Sequence, residues 1–274
     1  MYADYLVKRF RRLIIPTWIY IGVYVVFFAI LYSCGISEHE FNKEEVINSF
    51  LLLDGFGYVW VIRIYFMMAI IAPALFWVSR LPVYLSTLFW CIGLFIHICI
   101  VSIRVDIHNV FLYKCWCYII LYIMAYALIY YAGISICKYK KIYVLLVSGI
   151  MFGVCLIFFM KVNAFDIQTY KYPPKYIYIF YGISISILIY YFSKTKIGQR
   201  LSEIKGVRYL SKNSLSIYFI HTFVIGLFEY KVLTISTWIG RYISTLIASV
   251  AIQLVYSFLL EYIKERRKTC VINK

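Results

Sequence analysis

Charge is what this chain has least of. Only 15% of its 274 residues are Asp, Glu, Lys or Arg, against about 25% in an ordinary soluble domain. Too few polar side chains remain to cover a water-facing surface, which excludes a soluble globular domain. Acid is scarcer still, with 12 Asp and Glu against 28 Lys and Arg. Histidine, at 4, and proline, at 5, are sparse. No Cys-x-x-Cys occurs and no Cys/His spacing suits zinc, so no metal site is expected. No internal repeat and no low-complexity tract appears. The missing repeat counts against a transporter built from duplicated halves.

What the chain does have is apolar length. Hydrophobic residues make up 64% and aromatic residues 20%, with 29 Tyr alone. Tyr joins an apolar ring to a polar tip and suits a membrane–water interface. A spanning helix needs about 20 mostly apolar residues. Residues 13–33, 58–78, 84–103, 115–135, 142–160, 176–193, 214–233 and 242–262 each qualify. Closed β-barrels are the other way to satisfy backbone groups in lipid, but their strands alternate apolar with polar. These stretches are continuously apolar, so the expected fold is all-α: a polytopic integral membrane helical bundle of about eight transmembrane helices, forming a single domain over residues 1–274. The first stretch is too long for a signal-peptide core and no small-x-small cleavage site follows it, so it reads as a retained anchor. Most of the 8 cysteines fall inside apolar stretches, where Cys acts as a small hydrophobe. For Cys115 and Cys117, near one membrane face, a disulfide stays open as an alternative.

The net charge of +16 does not indicate nucleic acid, because the basic residues lie in short runs between apolar stretches. Such runs orient helices and contact anionic lipid headgroups. With the N-terminus placed in the cytoplasm, 19 Lys and Arg fall on the cytoplasmic side, 8 on the other, and Arg63 within a helix. Every multi-charge cluster (residues 8–12, 138–141, 194–212 and 264–274) then lies on one side, and both termini are expected in the cytoplasm.

Polar groups inside lipid are costly and need a reason. The run Lys8-Arg9-Phe10-Arg11-Arg12-Leu13-Ile14-Ile15-Pro16 fits a topology signal, with Pro16 in a first helical turn. It also fits a phosphate clamp for a nucleotide-bearing donor, since Arg binds phosphate with two parallel hydrogen bonds. Trp60 and Arg63 share a helix face, with Pro73 further along the same helix. Arg63 either snorkels to the headgroups or faces a polar cavity. Ser214, Tyr218 and His221 fall at i, i+4 and i+7 on another face, and Ser214 suits the helix cap. Ser249, Gln253 and Tyr256 repeat that spacing in the last helix and read as packing. His97 reads as structural, while His39 and His108, in outer loops, carry little information.

In this order, the first three constellations resemble the acyltransferase-3 family of membrane O-acyltransferases. Residues 8–16 resemble its basic run ending in Pro, and residues 60–73 its Trp-aromatic-Leu-Arg-like helix ending in Pro. Ser214, Tyr218 and His221 match its Ser-x-x-x-Tyr-x-x-His helix. The resemblance implies a bacterial inner-membrane protein that transfers an acyl group, typically acetyl, from acyl-CoA to a sugar hydroxyl of a surface polysaccharide or its lipid-linked precursor. It implies Arg9 and Arg12 as contacts for the donor and Trp60, Arg63 and Ser214 as contacts for the acceptor. Tyr218 and His221 would line or polarise the cavity. Acetyl-CoA would be a substrate, with no permanently bound cofactor, and the other partners would be a glycan or glycolipid and membrane lipids. The family has about ten core helices, and its catalytic His lies on the first. The present sequence begins at the run that normally follows the second helix. An N-terminally truncated member is therefore expected, with no counterpart of that His and little or no activity of its own. The competing expectation is a non-enzymatic membrane protein, such as a glycan-lipid transporter or polysaccharide-assembly partner.

Overall fold

The computed structural model describes residues 2–53, 56, 58–103, 110–162 and 166–272. Asp54, Gly57, Arg104 and His108 lie outside the described residues, as do the side chains of Lys114, Lys264 and residues 266–274, Cys270 among them. Continuous apolar stretches give helices, because only helices satisfy their own backbone groups in lipid. In chain order they are α1 (Tyr2–Ser33), α2 (Lys43–Phe50), α3 (Trp60–Val78), α4 (Val83–Ser102) and α5 (Val110–Cys115). A π-turn (Trp116–Leu121) leads into α6 (Tyr122–Ser135), followed by α7 (Lys141–Val162) and α8 (Tyr176–Ser193). The chain ends with α9 (Lys196–Glu203), α10 (Lys205–Lys212), α11 (Ser214–Glu229) and α12 (Trp238–Ile272). No strand forms among the described residues.

Among the described residues, seven helices are long and apolar enough to cross a membrane, and each overlaps one of the predicted spans. The eighth stretch, 214–233, forms the shorter apolar helix Ser214–Glu229, of 16 residues. It stops where Glu229, Tyr230 and Lys231 break the apolar run. Lys231 takes a left-handed conformation (φ 59°), and the Leu233 amide returns to the Leu227 carbonyl at 2.9 Å, a helix-ending pattern.

The helices divide into two compact units. The first comprises Met1–Ile14 and Trp60–Gln199. Within it α6 is central, packing against α3, α4 and α8, while α7 packs along α8. Small polar residues join these helices, as is common in lipid. The Ser86 and Tyr131 hydroxyls meet at 2.6 Å, and Ser184 Oγ donates to the Ser148 carbonyl at 3.1 Å. His97 is fully buried, with Nε2 2.7 Å from the Pro174 carbonyl, so its structural reading fits a helix-to-loop tie.

The second unit comprises Ile15–Val59 and Arg200–Lys274, with α11 packed against α12. Gln253, almost fully buried, accepts from Ser216 Oγ at 2.5 Å and donates to Ser257 Oγ at 3.1 Å, while the Tyr209 hydroxyl lies 2.8 Å from Ser257 Oγ. The packing face of α12 therefore runs Ser249, Gln253, Ser257. Tyr256, expected on it, is half exposed.

Tyr24 forms the core of this unit, ringed by Phe28, Phe41, Phe56, Phe223 and Tyr230. Gly226 admits it: a Cβ there would sit 2.2 Å from the Tyr24 hydroxyl and 3.1 Å from Phe28. A ring so enclosed cannot swing away. Gly226→Ala is expected to destabilise by about 1–3 kcal/mol, the usual cost of overpacking. The loss should appear as a lower melting temperature in detergent, partly restored when Tyr24→Phe is added. An unchanged melting temperature for Gly226→Ala would contradict this packing.

Two local expectations are corrected. Pro16 lies inside α1, not in its first turn. The preceding residues contain no helix breaker, and Asp4 in the first turn complements the helix dipole, so the helix starts at Tyr2 and includes the whole basic run. Ser214 is the first residue of α11, not its cap. Asn213 holds the cap position, but its amide turns back to donate to the Tyr209 carbonyl at 3.0 Å, closing α10 instead. Among the described residues the cysteines are free, Cys115 and Cys117 included.

Candidate functional site

The basic run Lys8–Arg12 lies in the second and third turns of α1, with Lys8, Arg9, Arg11 and Arg12 all exposed. At about 100° per residue, Arg9 and Arg12 lie about 60° apart on one face, whereas Arg11 lies about 160° from Arg9. The Arg9 guanidinium rests 5.2 Å from the Tyr5 ring centroid. This face can present adjacent guanidinium groups to a phosphate.

Trp60 opens α3, and Arg63 follows one turn later. Arg63 is only 5% exposed, and its guanidinium lies 5.6 Å from the Tyr122 ring centroid. Burial rules out snorkelling and places the cation inside the first unit. Tyr122 begins α6 directly after the π-turn, an irregularity that often accompanies function. Around it gather Trp60 at 6.2 Å, Tyr126 at 6.0 Å and Tyr172 at 6.3 Å between centroids. A second cation, Lys171 Nζ, lies 4.8 Å from the Trp60 ring and 5.0 Å from the Tyr172 ring. Burial pushes the Tyr172 phenol above its ordinary value, so it stays neutral and offers its π face to the ammonium. This box of aromatic rings and two cations suits a flat, hydroxyl-rich or anionic ligand.

In the second unit, the Tyr218 hydroxyl donates to the Tyr58 carbonyl at 2.6 Å, and the Tyr58 hydroxyl donates to Glu229 Oε1 at 3.0 Å. Tyr58 has φ 54°, an uncommon state for a residue with a side chain and one that concentrates at functional sites. The two hydrogen bonds hold it there. The His221 and Tyr218 rings meet edge to face at 5.1 Å. One residue on, Thr222 Oγ1 pairs with the Tyr20 hydroxyl at 2.9 Å. Ser214 is exposed and makes no contact with this group among the described residues. His39, given little weight in the sequence, stacks on Tyr230 at 4.4 Å with Nε2 3.7 Å from Glu45.

A family model described as Acyltransferase domain, of the acyltransferase-3 type, matches residues 1–258. The chain belongs to the acyltransferase-3 family. No curated protein and no solved structure matches it. The match spans both units and includes Arg9, Arg12, Trp60, Arg63, Ser214, Tyr218 and His221. With seven long apolar helices among the described residues, this acyltransferase-3 member is a multi-pass membrane protein.

Arg9, Arg12, Trp60 and Arg63 belong to the first unit; Ser214, Tyr218 and His221 belong to the second. The sequence reading missed Tyr122, Lys171 and Tyr172, which reach Trp60 and Arg63 only through tertiary packing. It also missed Tyr58 and Tyr20. Thr222 was detectable, because it follows His221 and lies one turn beyond Tyr218.

Proposed function

We propose that this family member transfers an acyl group, acetyl in the simplest case, from acyl-CoA to a hydroxyl of a cell-surface glycan or its lipid-linked precursor in a bacterial inner membrane. The observation that carries the proposal is the family match over residues 1–258 on a chain of apolar helices. The exposed arginine face of α1 supports a phosphate-bearing donor, with Arg9 and Arg12 as its contacts. The Trp60–Arg63 box supports a sugar acceptor, whose apolar ring face stacks on aromatics while its polar edge meets a cation. The excess of lysine and arginine at one set of helix ends supports a cytoplasmic location for that set, and hence for the donor.

In this reaction the acceptor oxygen attacks the thioester carbonyl. A C–O bond forms, the C–S bond breaks, and coenzyme A leaves as the thiol once it gains a proton. A sugar hydroxyl is a weak nucleophile, so a base must take its proton during attack. Among the described histidines, His97 is engaged by Pro174, and His39 is stacked on Tyr230 near Glu45. His221, whose ring nitrogens make no hydrogen bond among the described residues, is the imidazole best suited to exchange that proton, with Tyr218 shaping its surroundings.

Against the little or no activity expected from the sequence, a working His221 predicts that membranes carrying the chain, supplied with acetyl-CoA labelled in its acetyl group, pass label to glycan in alkali-labile form. The expected signal exceeds that of membranes lacking the chain. Equal labelling of the two would refute the proposal.

A further inference from the structure

One cavity in the first unit shares no lining residue with the Trp60–Arg63 box. It measures about 180 Å³ and is walled by α4, α6, α7 and α8, with Trp90, Val147, Met151 and Ile187 along its depth. A neighbouring cavity of about 120 Å³ shares Ala132, Ile136, Ile183 and Ile187 with it. Walls this apolar stay dry and accept apolar matter. From Lys141 at the start of α7 to Met151 is ten residues, about 15 Å along a helix. The cavity is thus roughly one leaflet deep in a hydrocarbon core of about 30 Å.

Its rim is basic. Tyr139 and Tyr143 line its mouth next to the exposed Lys140 and Lys141, and Tyr190 of the smaller cavity holds Lys194 Nζ at 2.5 Å. That hydrogen bond holds the Lys194 pKa above its ordinary value, so its charge persists. The walls α4, α6, α7 and α8 carry no Asp or Glu, so nothing in them neutralises this rim. Ser135 closes the picture. It lines the larger cavity at the same end, is 3% exposed, and its hydroxyl has no hydrogen-bond partner among the described residues. An apolar slot, one buried hydroxyl near its mouth and a ring of ammonium groups above it match three parts of one molecule: an acyl chain, an ester carbonyl and an anionic headgroup.

We propose that this cavity is a built site for an anionic phospholipid, with an acyl chain against Trp90 and Met151, an ester carbonyl at Ser135 and the phosphate at Lys140, Lys141 and Lys194. The site is separate from donor and acceptor binding and does not depend on the proposed reaction.

Trp90 reports on it directly, because brominated acyl chains quench tryptophan on contact. The purified full chain is placed in phosphatidylcholine vesicles, and dibrominated phosphatidylglycerol or dibrominated phosphatidylcholine is titrated in. The Trp90 component is obtained by subtracting the Trp90→Phe variant. Each surface lysine favours anionic lipid by several-fold, so phosphatidylglycerol should reach half-quenching at a mole fraction about tenfold lower than phosphatidylcholine. The triple variant Lys140→Ala/Lys141→Ala/Lys194→Ala, altered only at exposed positions, should lose the preference but keep quenching by both lipids. Ala132→Phe, at the wall shared by the cavities, should reduce quenching by both. Equal quenching by the two lipids in the natural chain, or a preference that survives the lysine changes, would overturn the site.

Discussion

Arg63→Met is expected to lower acyl transfer about 10²–10³-fold in membranes, the usual effect of removing one preorganised positive group from a reaction site. Arg63 lies well within a predicted span, and its guanidinium is buried over Tyr122 beside Trp60. A charge kept at such depth is costly and persists where it serves a purpose. Arg63→Lys should recover only part of the loss. An ammonium keeps the charge but lacks the flat, weakly hydrated face that lies over an aromatic ring. The measurement is coenzyme A thiol release per folded molecule, with folding followed by melting temperature and gel filtration in detergent. A purely structural Arg63 would make activity fall only in step with the folded fraction. Unchanged activity per folded molecule in Arg63→Met would remove Arg63 from the site.

The spans were legible because lipid leaves the backbone little choice: a continuous apolar run must be helical, and seven runs are long enough to cross. Arg63 was legible for the opposite reason, as the exception within such a run. Tyr122 and Lys171 were not, because no local pattern links them to Trp60; α6 and the loop before α8 bring them there. Local geometry misled at Ser214, read as the cap: Asn213 takes that position, and its amide turns back to Tyr209. Pro16 looked like a helix start because proline favours first turns, but α1 had already begun at Tyr2. His221 shows the limit of resemblance. The resemblance gave His221 only a supporting part, lining or polarising the cavity with Tyr218. The edge contact with Tyr218, and the commitment of His97 elsewhere, make His221 chemically the more interesting imidazole.

The arginine face of α1 allows its rival explanations to be separated. If the basic run only sets topology, Arg9, Arg11 and Arg12 are interchangeable charges, because that rule counts lysines and arginines without regard to helix face. A phosphate clamp is different: Arg9 and Arg12, three residues apart, share a face, and Arg11 points about 160° away from Arg9. Arg9→Ala/Arg12→Ala should therefore weaken coenzyme A binding. A hydrogen bond to a charged group contributes about 1.5–3 kcal/mol, but these side chains are exposed and solvent screening reduces the yield. Together they are expected to account for about 10- to 100-fold in Kd. Arg11→Ala should change it less than about threefold, through net charge alone. The natural chain should also lose affinity steeply as salt rises, and the double variant much less, since the pairs most open to screening are already gone. The measurement is titration of coenzyme A into purified protein in detergent at two salt concentrations. If Arg11→Ala and the double variant weaken binding equally per charge removed, the face carries no specificity. If none of the variants changes the affinity, the donor's phosphates are not bound on α1.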